Sequence, residues 1–433
     1  MKGKKDLYND IGQQMYQWAE DLFPIHRSLT GDGVRTTLRY LKEKMPGLKI
    51  HDIQSGSRVF DWTVPDEWNV SEAYIEDKNG RKIVDIKDHN LHLVGYSVPV
   101  DIWLSREELD NHLHSLPDLP DAIPYITSYY HRKWGFCLPH NTREALTDGL
   151  YHAVVKSELK KGVMNYADLV IPGETEKEIF FSTYICHPSM GNNELSGPVL
   201  ATALAKYVSS LSNRKYTYRF AFLPETIGAI AYLSRNLKEL KECVEAGFML
   251  TCVGDEKSWS FLPSRKADTK ADRAAKTVLE ENEIEYKEYS FLRRGSDERQ
   301  YCAPGVDLPF VSVMRTKYEE YDEYHSSLDD LNFISSKGFQ GSFDLHKKII
   351  DFFESSKYPR ITVLCEPLLG KRGLYPASNV QGINDQVRNL RNIIAYADGS
   401  LTMSELFKIT KVPEEEGLEI IRKLHTNGLI EYD

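Results

Sequence analysis

Two histidines and several carboxylates of this chain stand where apolar runs end. His187 closes the run 179–185 (IFFSTYI), and a turn-rich segment, 188–193, follows it. Glu194 then opens an apolar-periodic stretch of Leu195, Val199, Leu200, Ala203, Leu204 and Val208. Pro224-Glu225-Thr226 directly follows the run 220–223, and Gly254-Asp255 follows 249–253. His325 lies in YEEYDEYHSSLDDL, downstream of the run 310–314. Neutral imidazole and carboxylate are the usual ligands of zinc, and a catalytic zinc takes three of them and keeps one position for water. A free glutamate beside such a water serves as general base. The pattern therefore nominates His187, Glu194, Asp255 and His325 as metal ligands and Glu225 as the catalytic base.

Each member alone has a plainer explanation. A histidine at a strand end is more often a hydrogen-bonded structural residue than a ligand. Glu194 is also what the dipole favours in a first helical turn, and Asp255 also suits a turn. Glu225 resists this treatment, because an acid directly after an apolar strand is costly unless it is paired or used. The weight lies in the joint pattern.

These residues need a scaffold that brings strand ends to one edge. From about residue 150 strands and helices alternate: strand 179–186, helix 194–211, strand 216–223, helix 226–237, strand 248–253, helix 271–281, strand 310–314 and helix 333–354. The alternation predicts an α/β fold, a mainly parallel (mixed) sheet with helices on both faces, whose ligand edge is the carboxyl ends of the strands. Helices near 5–24 and 34–44 and a strand at 48–59 form its entrance. Between them, 61–145 carries short strands, turns such as Asn79-Gly80 and clustered prolines, and reads as an inserted β-rich domain. The expected organisation is core 1–60, insert 61–145, core 146–365, and linker with winged helix 366–433. Thr402 and Glu405 have capping-box spacing within that last unit. Over 384–433, six Lys/Arg face nine Asp/Glu, which argues for packing or dimerisation and against a DNA reader.

Composition narrows the class. The 433 residues are 41% hydrophobic and 27% charged, with net charge −10, so a nucleic-acid partner is a poor expectation. The opening MKGKKDLYND lacks an apolar leader core and no run is long enough to span a bilayer, so a cytoplasmic, membrane-free protein is expected. Six cysteines without a CxxC pair read as free thiols in a reducing compartment.

The features HPSM…NNELSG, PETIG, RRGSDERQY, YHSSLDDL and KRGLYP resemble the di-zinc aminopeptidase family that includes bacterial leucyl aminopeptidase and glutaminyl cyclase. Within it they are most similar to a prokaryotic aminopeptidase-like group with a small inserted domain and a C-terminal winged helix. The resemblance implies zinc, a peptide or small amide substrate, and Glu225 as base. It also implies where the pattern is broken: the bridging aspartate, the second glutamate and the next aspartate of the family fall on Asn192, Thr226 and Thr251. Three carboxylates are missing, so one zinc is expected rather than two, with His187, Glu194 and His325 as a two-histidine, one-carboxylate set and Asp255 as the other replacement. Asp297 and Arg299, in one loop near the same edge, are expected to hold the substrate, an acid for an amine and an arginine for a carboxylate. The segment Arg27-Ser28-Leu29-Thr30-Gly31 is expected, by resemblance, to fold over the cleft.

Three functions follow as alternatives. The first is a zinc-dependent amide or peptide hydrolase, an aminopeptidase-like exopeptidase using a metal-bound water and Glu225. The second is a deacylase of a small metabolite or sugar amide. The third is a binding protein that keeps the peptidase fold, with a homo-oligomer compatible with the acidic winged helix.

Overall fold

The computed structural model describes residues 8–374 and 383–432. Leu7 of the first helical period and Tyr375-Pro376 of the KRGLYP stretch lie outside them. The chain divides into two units, 1–349 and 350–433.

The first unit is built on an eight-stranded mixed sheet. Its strands lie in the order Lys49–Gln54, Val163–Ile171, Thr217–Leu223, Glu178–Tyr184, Val244–Met249, Phe310–Met314, Ser260–Leu262 and Lys287–Glu288. The middle four run parallel. Every residue of Glu178–Tyr184 and of Thr217–Leu223 is buried, as expected of parallel strands covered on both faces. Phe181 stacks between Phe220 and Phe248, with ring centres 5.3 Å away on each side. The helix Ser196–Ser210 leads back to the neighbouring strand on one side, and Ile227–Cys243 crosses to the other. The strand Glu178–Tyr184 therefore stands where the connections change direction, and its carboxyl end is the crevice of such a sheet.

The inserted domain carries a four-stranded antiparallel sheet, Lys82–Asp85, Glu67–Asp77, Leu150–Lys160 and Val100–Ser105. Its last strand lies beyond the boundary expected at 145, where the sequence pattern places the alternating core. The half-exposed burial of Leu150–Lys160 marks it as an antiparallel strand with one wet face. The core resumes with Val163–Ile171, which joins the large sheet antiparallel.

The second unit holds helices Ile383–Tyr396, Met403–Thr410 and Glu414–Thr426. The capping box at Thr402 and Glu405 is formed. Strand Ile430–Glu431 pairs with Arg360–Ile361, so 360–361 belongs to this unit rather than to the first. Among the described residues no helix is long and apolar enough to cross a membrane.

One core residue ties the fold to pH. His346, on the helix Ser336–Ser355, is fully buried, and its Nδ1 lies 2.8 Å from the Ser342 carbonyl. Burial pushes its pKa down to about 4, against an ordinary value of 6.5. The unfolded chain thus binds the proton more readily than the native one. This stability contribution is complete above pH 6.5 and is lost as the pH falls towards 4, at about 1.4 kcal/mol per pH unit. In urea titrations the wild type should lose about 3 kcal/mol more between pH 7 and pH 4 than His346→Leu does. Equal losses would remove His346 from the acid response.

Candidate functional site

Beyond Tyr184 the chain stays on the sheet for one more bond, Ile185 N–H to the Leu223 carbonyl at 3.0 Å. Cys186 and His187 then reach the edge. His187 is 4% exposed. Its Nδ1 lies 2.6 Å from Glu194 Oε2, and its Nε2 lies 3.5 Å from Glu225 Oε2. Glu194 does not begin an ordinary helix. It lies in a π-helical turn, Gly191–Leu195, that feeds Ser196–Ser210. Asp329 holds this turn, accepting the Asn192 and Asn193 amides at 2.6 and 2.9 Å through its carboxylate and the Gly191 amide through its carbonyl. The role of Asp329 was not read from the sequence, although it sits in the SSLDDL stretch beside His325.

Glu225 owes its position to strain. The next residue, Thr226, has φ 62° and ψ −77°. Its peptide neighbours close a γ-turn, Ile227 N–H to the Glu225 carbonyl at 2.8 Å, in the rare form that β-branched residues resist. Two residues of the 295–299 loop hold it. Asp297 Oδ1 accepts the Thr226 amide at 2.7 Å, and Arg299 Nη2 donates to Thr226 Oγ1 at 2.9 Å. Burial raises the Glu225 pKa, and His187 and Arg299 oppose that shift. Burial likewise pushes Asp297 well above the usual carboxylate range, and the Glu225 charge adds to it.

His325 faces the same cleft from a left-handed backbone position, φ 54°. Its carbonyl accepts the Tyr125 amide at 2.9 Å, and its ring stacks on Tyr324 at 3.9 Å. The ring centres of His187 and His325 are 5.5 Å apart. Burial, helped by His187, pulls the His325 pKa down to about 3, so its imidazole is neutral.

The cleft above these residues measures about 370 Å³. Trp62, Tyr125, Tyr129 and Tyr130 of the inserted region form its aromatic wall. The Tyr125 and Tyr129 hydroxyls bond to each other at 2.8 Å, which leaves their rings as the contact surface. No local pattern in the sequence marked this wall. A larger cleft of about 560 Å³, at His26, Asp32, Trp68 and Lys156, includes neither His187 nor Glu225.

Three expected site residues are placed otherwise. The Asp255 carboxylate takes hydrogen bonds from Asn192 Nδ2, the Lys257 amide, and the Thr316 amide and hydroxyl, at 2.7 to 3.0 Å. It is an anchor of the sheet edge, and it does not line the cleft. Asp297 and Arg299 face the Thr226 turn rather than the cleft, because the strained peptide and hydroxyl need partners inside the protein. Arg27 is buried behind the site, with Nε on the His187 carbonyl at 3.1 Å. Leu29 of the same segment does line the cleft.

The positions to which the resemblance would assign three further carboxylates hold neutral residues, each tied within the protein. Asn192 is tied to Asp255 and the Gly254 amide, and Thr251 to Tyr184 and the Asn193 carbonyl. Thr226 is tied as described. The residues present do offer donors for a cation. Cys186 Sγ, His187 Nδ1 and the Glu194 carboxylate lie within 4.8 Å of one another. Glu194 Oε1 is a buried acceptor with no hydrogen-bond donor, an arrangement that a cation relieves.

Residues 16–356 match the family model described as Domain of unknown function (DUF4910), and residues 356–432 match a winged helix-turn-helix model. A Clostridium acetobutylicum protein is 43% identical over 368 residues, 85% of this chain and 84% of its own length. Its provisional name is polysaccharide biosynthesis protein with aminopeptidase-like domain. A crystal structure from Clostridium acetobutylicum, provisionally called a peptidase, superposes with TM-score 0.81 at 38% identity, covering 98% of this chain and 96% of that one. The zinc aminopeptidase BSAP from Bacillus subtilis shares the fold at TM-score 0.58 and 13% identity, covering 80% of this chain and 94% of that one.

Proposed function

The chain belongs to the family described as Domain of unknown function (DUF4910), and on that premise we propose that it is a single-zinc hydrolase of amide bonds. The observation that carries this reading is Glu225. A strained turn holds it at the carboxyl edge of an aminopeptidase-like sheet, facing the cleft beside a cluster of metal donors. His187 and Glu194 would hold the ion, with His325 on the facing wall. Zinc, when bound, supplies Lewis-acid polarisation of the scissile carbonyl. The chain's own residues do the rest. Glu225 accepts the proton of the attacking water and delivers it to the departing amine. Its raised pKa suits both halves of that transfer. His325, held neutral by burial, offers a ring nitrogen to substrate without adding charge. The aromatic wall excludes water and takes the apolar face of the substrate.

An aminopeptidase also needs an anion for the substrate's α-amine. Among the described residues lining the cleft Glu225 is the one acid, because Asp297 is turned inward. This favours a second reading, a deacylase of a neutral amide such as an N-acylated sugar, which accords with the name of the Clostridium acetobutylicum relative.

The test pairs elemental analysis of zinc-reconstituted protein with a panel of aminoacyl amides and N-acylated amino sugars. About one zinc per chain, lost in His187→Ala, and turnover of either amide class support the proposal. Aminoacyl turnover alone selects the exopeptidase. Absence of both zinc and turnover would leave a binding protein on a peptidase fold.

A further inference from the structure

We infer that Cys186 is the third protein ligand of the zinc, so that a thiolate takes over from carboxylates this chain has lost and His325 is left to face the substrate. The inference rests on the single-zinc reading above and concerns which side chains make the site.

Geometry comes first. Tetrahedral zinc with a Zn–S bond of about 2.3 Å and a Zn–N bond of about 2.0 Å separates the two donor atoms by about 3.6 Å. Cys186 Sγ lies 3.7 Å from His187 Nδ1. The Glu194 carboxylate completes the only such group of three donors among the described residues, and His325 and Asp255 fall outside it. An ion there replaces the 2.6 Å contact between His187 Nδ1 and Glu194 Oε2 and also engages the carboxylate's orphaned edge.

Burial pushes the Cys186 thiol up to about 11 in the metal-free protein, so it is a bound ion that would hold it as a thiolate. Cys186 is 1% exposed, yet it is among the residues lining the cleft, which leaves a side for substrate. Its Sγ accepts the Glu225 amide at 3.2 Å, the kind of outer bond that supports a metal-bound sulfur. The buried Arg27 guanidinium has no carboxylate hydrogen-bonded to it, and it interacts electrostatically with both Cys186 and Glu194. Two negative ligands thus have a cation behind them as well as the ion between them. Loading releases the Cys186 proton to solvent. A soft sulfur donor also selects zinc over magnesium, calcium or manganese.

Cobalt(II) reports sulfur ligation directly. Full-length protein carrying Cys365→Ser, which removes an exposed thiol, is stripped with chelator and titrated with cobalt(II) while its absorption spectrum is followed. The expected result is about one cobalt per chain with an intense near-ultraviolet thiolate-to-cobalt band. Cys186→Ser should lose the band and bind cobalt at least about 100-fold more weakly, and His325→Ala should keep the band. Bound cobalt without that band, or a band that survives in Cys186→Ser, overturns the inference and leaves the single-metal reading standing. No cobalt uptake overturns both. Circular dichroism checks that Cys186→Ser is folded. Should it not fold, cadmium-113 resonance of the parent protein decides the question, since its shift separates a sulfur-containing ligand set from one of nitrogen and oxygen.

Discussion

Glu225→Gln should lower kcat on the amide substrate by about 10²–10⁴-fold, with KM and zinc content near those of the wild type. Glutamine keeps the shape of the side chain and removes its capacity to take a proton. The turn that positions the residue is made by its own backbone and by Thr226, Asp297 and Arg299, none of which depends on the carboxylate. The variant therefore isolates proton transfer from folding. Metal binding should persist, because the cluster of donors is Cys186, His187 and Glu194. Zinc loss in Glu225→Gln would make Glu225 a ligand rather than the base. Unchanged kcat with zinc retained would remove it from the chemistry altogether.

The largest loss of stability is expected at Arg219→Met. Arg219 lies in the middle of the sheet, on Thr217–Leu223, where it grips Glu178 of the neighbouring strand bidentately at 2.7 and 2.8 Å. Both side chains are nearly fully buried, and the Tyr232 hydroxyl, Glu239 and, at 3.8 Å, Asp168 also meet the guanidinium. Removing the arginine leaves the Glu178 charge buried and unpaired, at a cost of about 3–5 kcal/mol. The double variant Arg219→Met/Glu178→Leu should return close to wild type, since the same desolvation no longer burdens the folded state. Urea unfolding of the three variants checks this. A double variant no more stable than Arg219→Met would mean that the pair contributes by packing and not by charge compensation.

The scaffold was legible because its cause is local. Fully buried parallel strands must be continuous apolar runs, and covering helices must carry a 3.6-residue apolar period. The strand Phe310–Met314 and the helix Lys270–Glu281 lie within a residue of where these patterns put them. The ends of the runs also located His187, Glu194, Glu225 and His325 near one edge, because a polar residue after a buried strand has few other places to go. The thread of Leu150–Lys160 into the small sheet was not legible. Its pairing with Glu67–Asp77 joins residues some eighty positions apart, and nothing in the local pattern chooses between two sheets.

By itself, then, the sequence determined a doubly covered α/β core, an inserted β-rich region, a capped helical unit at the C-terminus, and the edge at which chemistry is gathered. Tertiary structure alone decided what each polar group there does. Asp255, Asp297 and Arg299 are of the right types for ligands and substrate contacts, yet each is drawn inward by backbone groups that need partners. Cys186, one of six free thiols by sequence, lies beside His187 Nδ1. The cleft's aromatic wall arrives from an insert sixty to a hundred and twenty residues upstream of the histidine it covers. The reason is physical. Apolar periodicity is a property of neighbours along the chain, whereas a carboxylate's role depends on which donors the fold brings within about 3 Å of it.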